Sequence, residues 1–285
     1  MSKIIRQLFF VFTIVIATDV FSQSDSIVLK DVKWEKDYPA GSTELFIPSV
    51  NSLLAGMMYR PNGNRKHPTL LLLHGFPGNE RNLDIAQAVR AHGWNVIYFN
   101  YRGSWGSQGK FSFKNCVEDV SNVVAYCNKY QDLLKIDTTN IVLFGHSMGG
   151  WVCLKALEQL PQIKKGFALS SGHFYNVLKM AKSEKEVIEG IPKIFPNYFV
   201  LNPTNVEIFL TAFKEISYYK LATDAKSLSD KKIIMLDEHT GSKEIADSIK
   251  EMHLSFFDYQ VWDTDHGFTN KRASLMNKLI SFLDQ

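Results

Sequence analysis

Gly145-His146-Ser147-Met148-Gly149-Gly150 stands between an apolar, β-branched run, Ile141-Val142-Leu143-Phe144, and a segment in which Trp151, Val152, Leu154, Ala156, Leu157 and Leu160 recur at helical spacing. The pattern predicts a buried strand, a sharp turn and a helix. Such a turn forces strained dihedrals at its apex and brings neighbouring backbones too close for side chains, which glycines two before and two after Ser147 accommodate. The serine hydroxyl is then exposed above the end of the sheet. An ordinary Gly-rich turn with a bystander serine shares the local pattern, so other segments have to decide between the two.

The first is Pro68-Thr69-Leu70-Leu71-Leu72-Leu73, another buried strand, which ends in His74-Gly75-Phe76-Pro77-Gly78. Acyl transfer needs two N–H donors aimed at a developing oxyanion, and a serine elbow supplies one, from the residue after the nucleophile, here Met148. The Phe76 amide is the candidate for the other, since Gly75 lets the backbone turn close to the reacting centre. His74 is read as a structural residue that holds the loop. The second segment is Asp263-Thr264-Asp265-His266-Gly267-Phe268, a loop after the late strand Phe256–Trp262. A general base for Ser147 belongs on a loop over the nucleophile, and of the 8 histidines His266 fits by position, with His173 and His239 as rivals.

His-Gly-Phe-Pro-Gly after one strand, Tyr101-Arg102-Gly103-Ser104-Trp105-Gly106-Ser107 after the next, then Gly-His-Ser-Met-Gly-Gly and Asp-His-Gly-Phe, resemble the α/β-hydrolase superfamily in its esterase and serine-peptidase-like branches. The resemblance covers nearly the whole mature chain. It implies Ser147 as nucleophile, His266 as base and the Phe76 and Met148 amides as oxyanion donors, with no cofactor and no metal. The family's triad acid usually lies a few residues beyond the strand before the last helix pair, in a Gly-x-x-Asp loop. The corresponding segment here is Lys232-Ile233-Ile234-Met235-Leu236-Asp237-Glu238-His239-Thr240-Gly241. Counting forward from the strand reaches Thr240 or Gly241, and counting back from the helix near Ala246 favours Glu238. The loop reads as shortened, with Asp237 the first choice for the acid and Glu238 the second.

A chain of 285 residues that is 45% hydrophobic can bury one sizeable core, and a single catalytic domain over 23–285 is the simplest organisation. Its strands alternate with helices, which predicts an α/β fold: a mostly parallel sheet with helices on both faces, preceded by edge strands within residues 27 to 60. The stretch from His173 to about Ser229 is too long for one connection, and Pro192, Pro196 and Pro203 divide it into short helices. It reads as an inserted helical lid whose aromatics line an apolar pocket or only fasten it to the sheet.

Residues 1–22 read as a secretory signal peptide: Lys3 and Arg6, an apolar core from Leu8 to Ala17, and Val20-Phe21-Ser22 before Gln23. The apolar run falls short of the roughly twenty residues needed to span a bilayer, so no stable membrane anchor is expected. Losing Lys3, Arg6 and Asp19 takes the formal charge from +3 to +2, too balanced to argue for a nucleic-acid partner. Cys116, Cys127 and Cys153 read as free, buried thiols, and no Cys-x-x-Cys or His-Glu-x-x-His signals a metal site. The expectation is an exported serine hydrolase, secreted or periplasmic, acting on a small-molecule ester or a short peptide. A serine aminopeptidase, or a non-catalytic binding protein on the same fold, is the alternative.

Overall fold

A computed structural model describes residues 31–221, 225–252 and 254–285. The expected leader, Met1 to Ser22, lies outside the described residues. The chain opens with β1 (Gly41–Ser49) and β2 (Ser52–Arg60), an antiparallel hairpin. The expected edge strands therefore occupy 41–60, and described residues 31–40 form no strand. Then follow β3 (His67–Leu73), α1 (Leu83–Ala91), β4 (Asn95–Phe99), α2 (Phe113–Lys129), the short α3 (Gln131–Leu134), β5 (Ile136–His146), α4 (Met148–Gln159) and β6 (Lys165–Leu169). Four helices come next: α5 (Phe174–Lys179), α6 (Glu184–Ile194), α7 (Asn205–Lys214) and α8 (Ala225–Leu228). The chain closes with β7 (Lys232–Asp237), α9 (Lys243–Lys250), β8 (Phe256–Val261) and α10 (Arg272–Leu283).

Among the described residues the sheet has 8 strands in the order β1-β2-β4-β3-β5-β6-β7-β8. From β4 to β8 every pairing is parallel, while β2 joins β4 antiparallel. Successive side chains of a strand point to opposite faces, and the two cores follow that alternation. Leu71, Leu73, Leu143, Ile233 and Met235 pack with Val117, Val120 and Val124 of α2 and Val152 of α4. Leu70, Leu72, Phe144, Ile234 and Leu236 pack with Ile85 and Val89 of α1 and Leu275, Leu279 and Phe282 of α10. The three cysteines are buried and free, Cys116 and Cys127 on α2 and Cys153 on α4.

The insertion between β6 and β7 departs from expectation at one proline. Pro192 does not end a helix but lies inside α6, two residues before its end, where its missing N–H forfeits the helical bond to the Ile188 carbonyl. Pro203 precedes a capping box, in which Thr204 Oγ1 accepts the Glu207 amide and the Glu207 carboxylate accepts the Thr204 amide.

Candidate active site

The elbow begins where β5 ends, next to β3 on one side and β6 on the other. Ser147 has φ 59° and ψ −120°, a conformation that a non-glycine residue keeps only when its surroundings impose it. The surroundings are visible in the glycines. A Cβ at Gly145 would meet the Gly149 carbonyl oxygen at 1.9 Å, and one at Gly149 would meet that of Leu73 at 2.0 Å. The Ser147 amide donates to Leu169 at 2.8 Å, which ties the turn to β6.

Met148 is the first residue of α4, so its N–H has no helical acceptor. The His74–Gly78 loop passes directly over the serine: a Cβ on Gly75 would stand 3.1 Å from Ser147 Cβ and 3.6 Å from Oγ. Among the described residues the Phe76 and Met148 amides donate to no protein acceptor. The elbow and the loop passing over it thus each hold a backbone N–H with no acceptor among the described residues, an arrangement that can receive an oxyanion. His74 donates from Nδ1 to the Gly75 carbonyl at 2.7 Å, its ring lies 4.5 Å from that of Tyr101 at a tilt of 49°, and burial pushes its pKa down to about 4. It shapes the loop as a neutral ring.

His266 lies in the loop between β8 and α10, and its Nδ1 is 2.7 Å from Glu238 Oε1. Ser170, at the end of β6, donates to the other carboxylate oxygen, Oε2. Burial raises the Glu238 pKa, but the hydrogen bonds from Ser170 and His266 prevail and hold it below the ordinary carboxylate value. Asp237, the first choice from sequence, does not reach His266. Its carboxylate accepts from the Ser242 amide at 3.1 Å, Ser242 Oγ at 2.9 Å and Tyr259 Oη at 3.1 Å, and it is fully buried. Burial raises its pKa, against those three hydrogen bonds.

The cause of this correction is strand alternation. Asp237 continues the face of Ile233 and Met235, toward the α2 and α4 core that Tyr259 joins, and Glu238 turns to the face of Ile234 and Leu236. On that second face α10 packs, and the loop carrying His266 enters α10.

His146, the residue before the serine, donates from Nε2 to the His266 carbonyl at 2.8 Å, and the two rings lie 4.9 Å apart. Burial, with the nearby His266, lowers the His146 pKa to about 4, so the ring is neutral near pH 7. Ser147 Oγ itself makes no hydrogen bond among the described residues; in unliganded sites this contact often forms only with substrate in place. His173 caps α5 beside Ser242, and the exposed His239 accepts the Gly241 amide. His239 Nε2 stands 3.5 Å from Glu238 Oε1, farther than His266 at 2.7 Å, and it is His266 that lies against His146, the residue before the serine.

The Phe76 side chain is the meeting point of loop and insertion. Its ring lies 5.8 Å from Phe195, 5.6 Å from Tyr198 and 5.9 Å from Phe209, and packs also on Phe111 and Phe113. Phe76, Phe195 and Tyr198 are half-buried. Among the described residues no group of three His, Cys, Asp or Glu side chains could hold a metal ion, and no helix is long and apolar enough to cross a membrane.

The family described as the alpha/beta hydrolase fold matches residues 68–216. A 31.7 kDa protein from the traX-finO intergenic region of Escherichia coli is 32% identical over 133 residues, covering 44% of this chain and 46% of that protein. Lysophosphatidylserine lipase ABHD12 of Gallus gallus is 24% identical over 218 residues, covering 72% of this chain and 54% of the lipase. The chain spans about half the length of the curated relatives it matches. Among solved structures, Est1E from Butyrivibrio proteoclasticus superposes with a TM-score of 0.63 at 14% identity over 84% of this chain and 97% of its own. Pyrococcus horikoshii acylaminoacyl peptidase does so with 0.65 at 15% identity over 92% of this chain and 43% of its own. These two likenesses show the fold.

Proposed function

This chain belongs to the α/β-hydrolase fold family, and on that premise we propose that it is an exported serine hydrolase that cleaves carboxylic esters through an acyl-enzyme on Ser147. The observation that carries the reading is the Glu238–His266 pair at 2.7 Å, set beside a serine strained to φ 59° between two unpartnered amides. In the first half-reaction Ser147 Oγ attacks the ester carbonyl and its proton passes to His266 Nε2. The oxyanion is received by the Phe76 and Met148 N–H groups, and Glu238 stabilises the imidazolium through Nδ1–H. Collapse breaks the bond to the alcohol, which leaves with the proton from Nε2. Water then adds to the acyl-enzyme by the same route, releasing the acid and restoring the serine.

A relative named as a lipase supports an ester rather than an amide as the bond cleaved. The half-buried aromatic cluster of Phe76, Phe195 and Tyr198 suits an apolar acyl group, each buried methylene of which is worth about 0.8 kcal/mol. The rate is therefore expected to rise from acetyl to hexanoyl p-nitrophenyl esters and to exceed that on aminoacyl amides. Faster amide cleavage would instead make the protein an aminopeptidase. No turnover of either series would support a binding protein on the same fold. Export rests on the leader pattern, and mass spectrometry of the native protein should find a chain beginning near Gln23, without a membrane anchor.

A further inference from the structure

The turn Gly103-x-x-Gly106-x-x-Gly109 takes no part in the chemistry above, yet it touches both sides of it. Its base is fixed to α2: Arg102 donates from Nε to Asp119 Oδ1 at 2.6 Å and from its amide to Oδ2 at 2.8 Å. On one side the turn pairs with the insertion. The Trp105 amide donates to the Val200 carbonyl at 3.0 Å, the Asn202 amide to Gly103 at 2.8 Å, and Ser104 forms an antiparallel bridge with Leu201. Gly103 makes this approach possible, since at φ 67° a Cβ there would meet the Phe111 nitrogen at 2.2 Å and the Asn202 oxygen at 2.5 Å.

On the other side stands the loop that carries Phe76. The Trp105 indole Nε1 donates to the Pro77 carbonyl at 2.7 Å, and a Cβ on Gly78 would lie 2.6 Å from that nitrogen. Trp105 itself has φ 46°, a conformation a bulky residue keeps only when over-determined by its neighbours. Those neighbours are Asn100, whose Nδ2 donates to the Trp105 carbonyl at 3.0 Å, and Arg81, whose guanidinium lies 4.9 Å from the indole ring centre.

We propose that Trp105 is a positioning residue that couples the insertion to the oxyanion loop. Its amide holds the Val200–Asn202 segment and its indole N–H holds Pro77, so the Phe76 amide is in place when the insertion is docked. The catalytic half of this statement rests on the reading of Phe76 as an oxyanion donor; the mechanical half does not.

Trp105→Phe keeps an aromatic ring and removes the indole donor. By 15N relaxation, the amide order parameters of Gly75, Phe76, Gly78 and Asn79 should fall in this variant while those of α2 and α4 stay as in wild type. Gly103→Ala, which acts from the insertion side, should lower them at the same four amides as well. With p-nitrophenyl esters, Trp105→Phe should lower kcat by about ten-fold or more with KM little changed, because the donor is displaced rather than the pocket. The ratio of oxo-ester to thiono-ester rates should fall with it, since sulfur accepts hydrogen bonds weakly and gains less from a well-placed donor. Unchanged order parameters at Gly75, Phe76, Gly78 and Asn79 in both variants overturn the coupling. Lowered order parameters with a wild-type oxo-to-thiono ratio overturn its bearing on the oxyanion. A wild-type protein that turns over no ester contradicts the proposed function instead, and the order parameters still decide the coupling.

Discussion

Glu238 and Asp237 are adjacent carboxylates with different fates, and the difference is one of side-chain direction. Glu238 faces His266 and Ser170, whereas Asp237 ties Ser242 and Tyr259 together inside the core. Glu238→Gln should therefore drop kcat by up to about four orders of magnitude, because an amide cannot hold the histidine tautomer or stabilise imidazolium. Its melting temperature should change little. Asp237→Asn should show the reverse: a modest change in rate, and a loss of stability on the order of 1–3 kcal/mol as a buried acceptor of three hydrogen bonds is altered. Steady-state kinetics and thermal unfolding of the two variants separate these outcomes, and a larger rate loss for Asp237→Asn would return the acid to that residue. Glu238 was within reach of the sequence as second choice. What hid it was the strand end: only the observed end of β7 at Asp237 decides which of two neighbours faces α10.

At the scale of elements, the strands were legible because each is a short apolar run bounded by turn residues, and the elbow because glycine spacing and helical periodicity agree around Ser147. The insertion was legible as an interruption but not in its contacts, since no local pattern tells which aromatic meets which. The structure makes Phe209 of α7 a keystone, fully buried against Phe76, Phe113 and Phe195. Phe209→Ala should destabilise the protein by about 3–5 kcal/mol, through lost burial and the cavity left behind. Urea unfolding checks this, and a change under 1 kcal/mol would mean that α7 rests on the sheet without this contact. By contrast Phe199 is 98% exposed and Ile194 67%, so alanine there should leave stability within about 0.5 kcal/mol of wild type.

Across the whole molecule, two buried neutral histidines give folding a predictable response to acid. His74 and His146 are both lowered from 6.5 to about 4, chiefly by burial. Below pH 6.5 the unfolded chain takes up protons at these positions while the folded chain does not until about pH 4, so stability falls as pH drops through that interval. At pH 5 each histidine should account for about 2 kcal/mol of loss relative to pH 7. Asp119 and Asp237, raised by burial, act in the opposite sense, so the histidine contribution is read by difference. The slope of unfolding free energy between pH 7 and pH 5 should be shallower in His74→Gln and His146→Gln than in wild type; equal slopes would mean that these rings titrate normally in the fold.

Every step of the proposed chemistry passes through Ser147 as a nucleophile activated by His266. Incubating the protein with a fluorophosphonate and measuring intact mass, followed by peptide mapping, tests it most directly. A single adduct is expected on the peptide containing Ser147, absent in Ser147→Ala and slowed by several orders of magnitude in His266→Ala, with the melting temperature of both variants near that of wild type. An unlabelled wild-type protein, or an adduct that persists in Ser147→Ala, would contradict it.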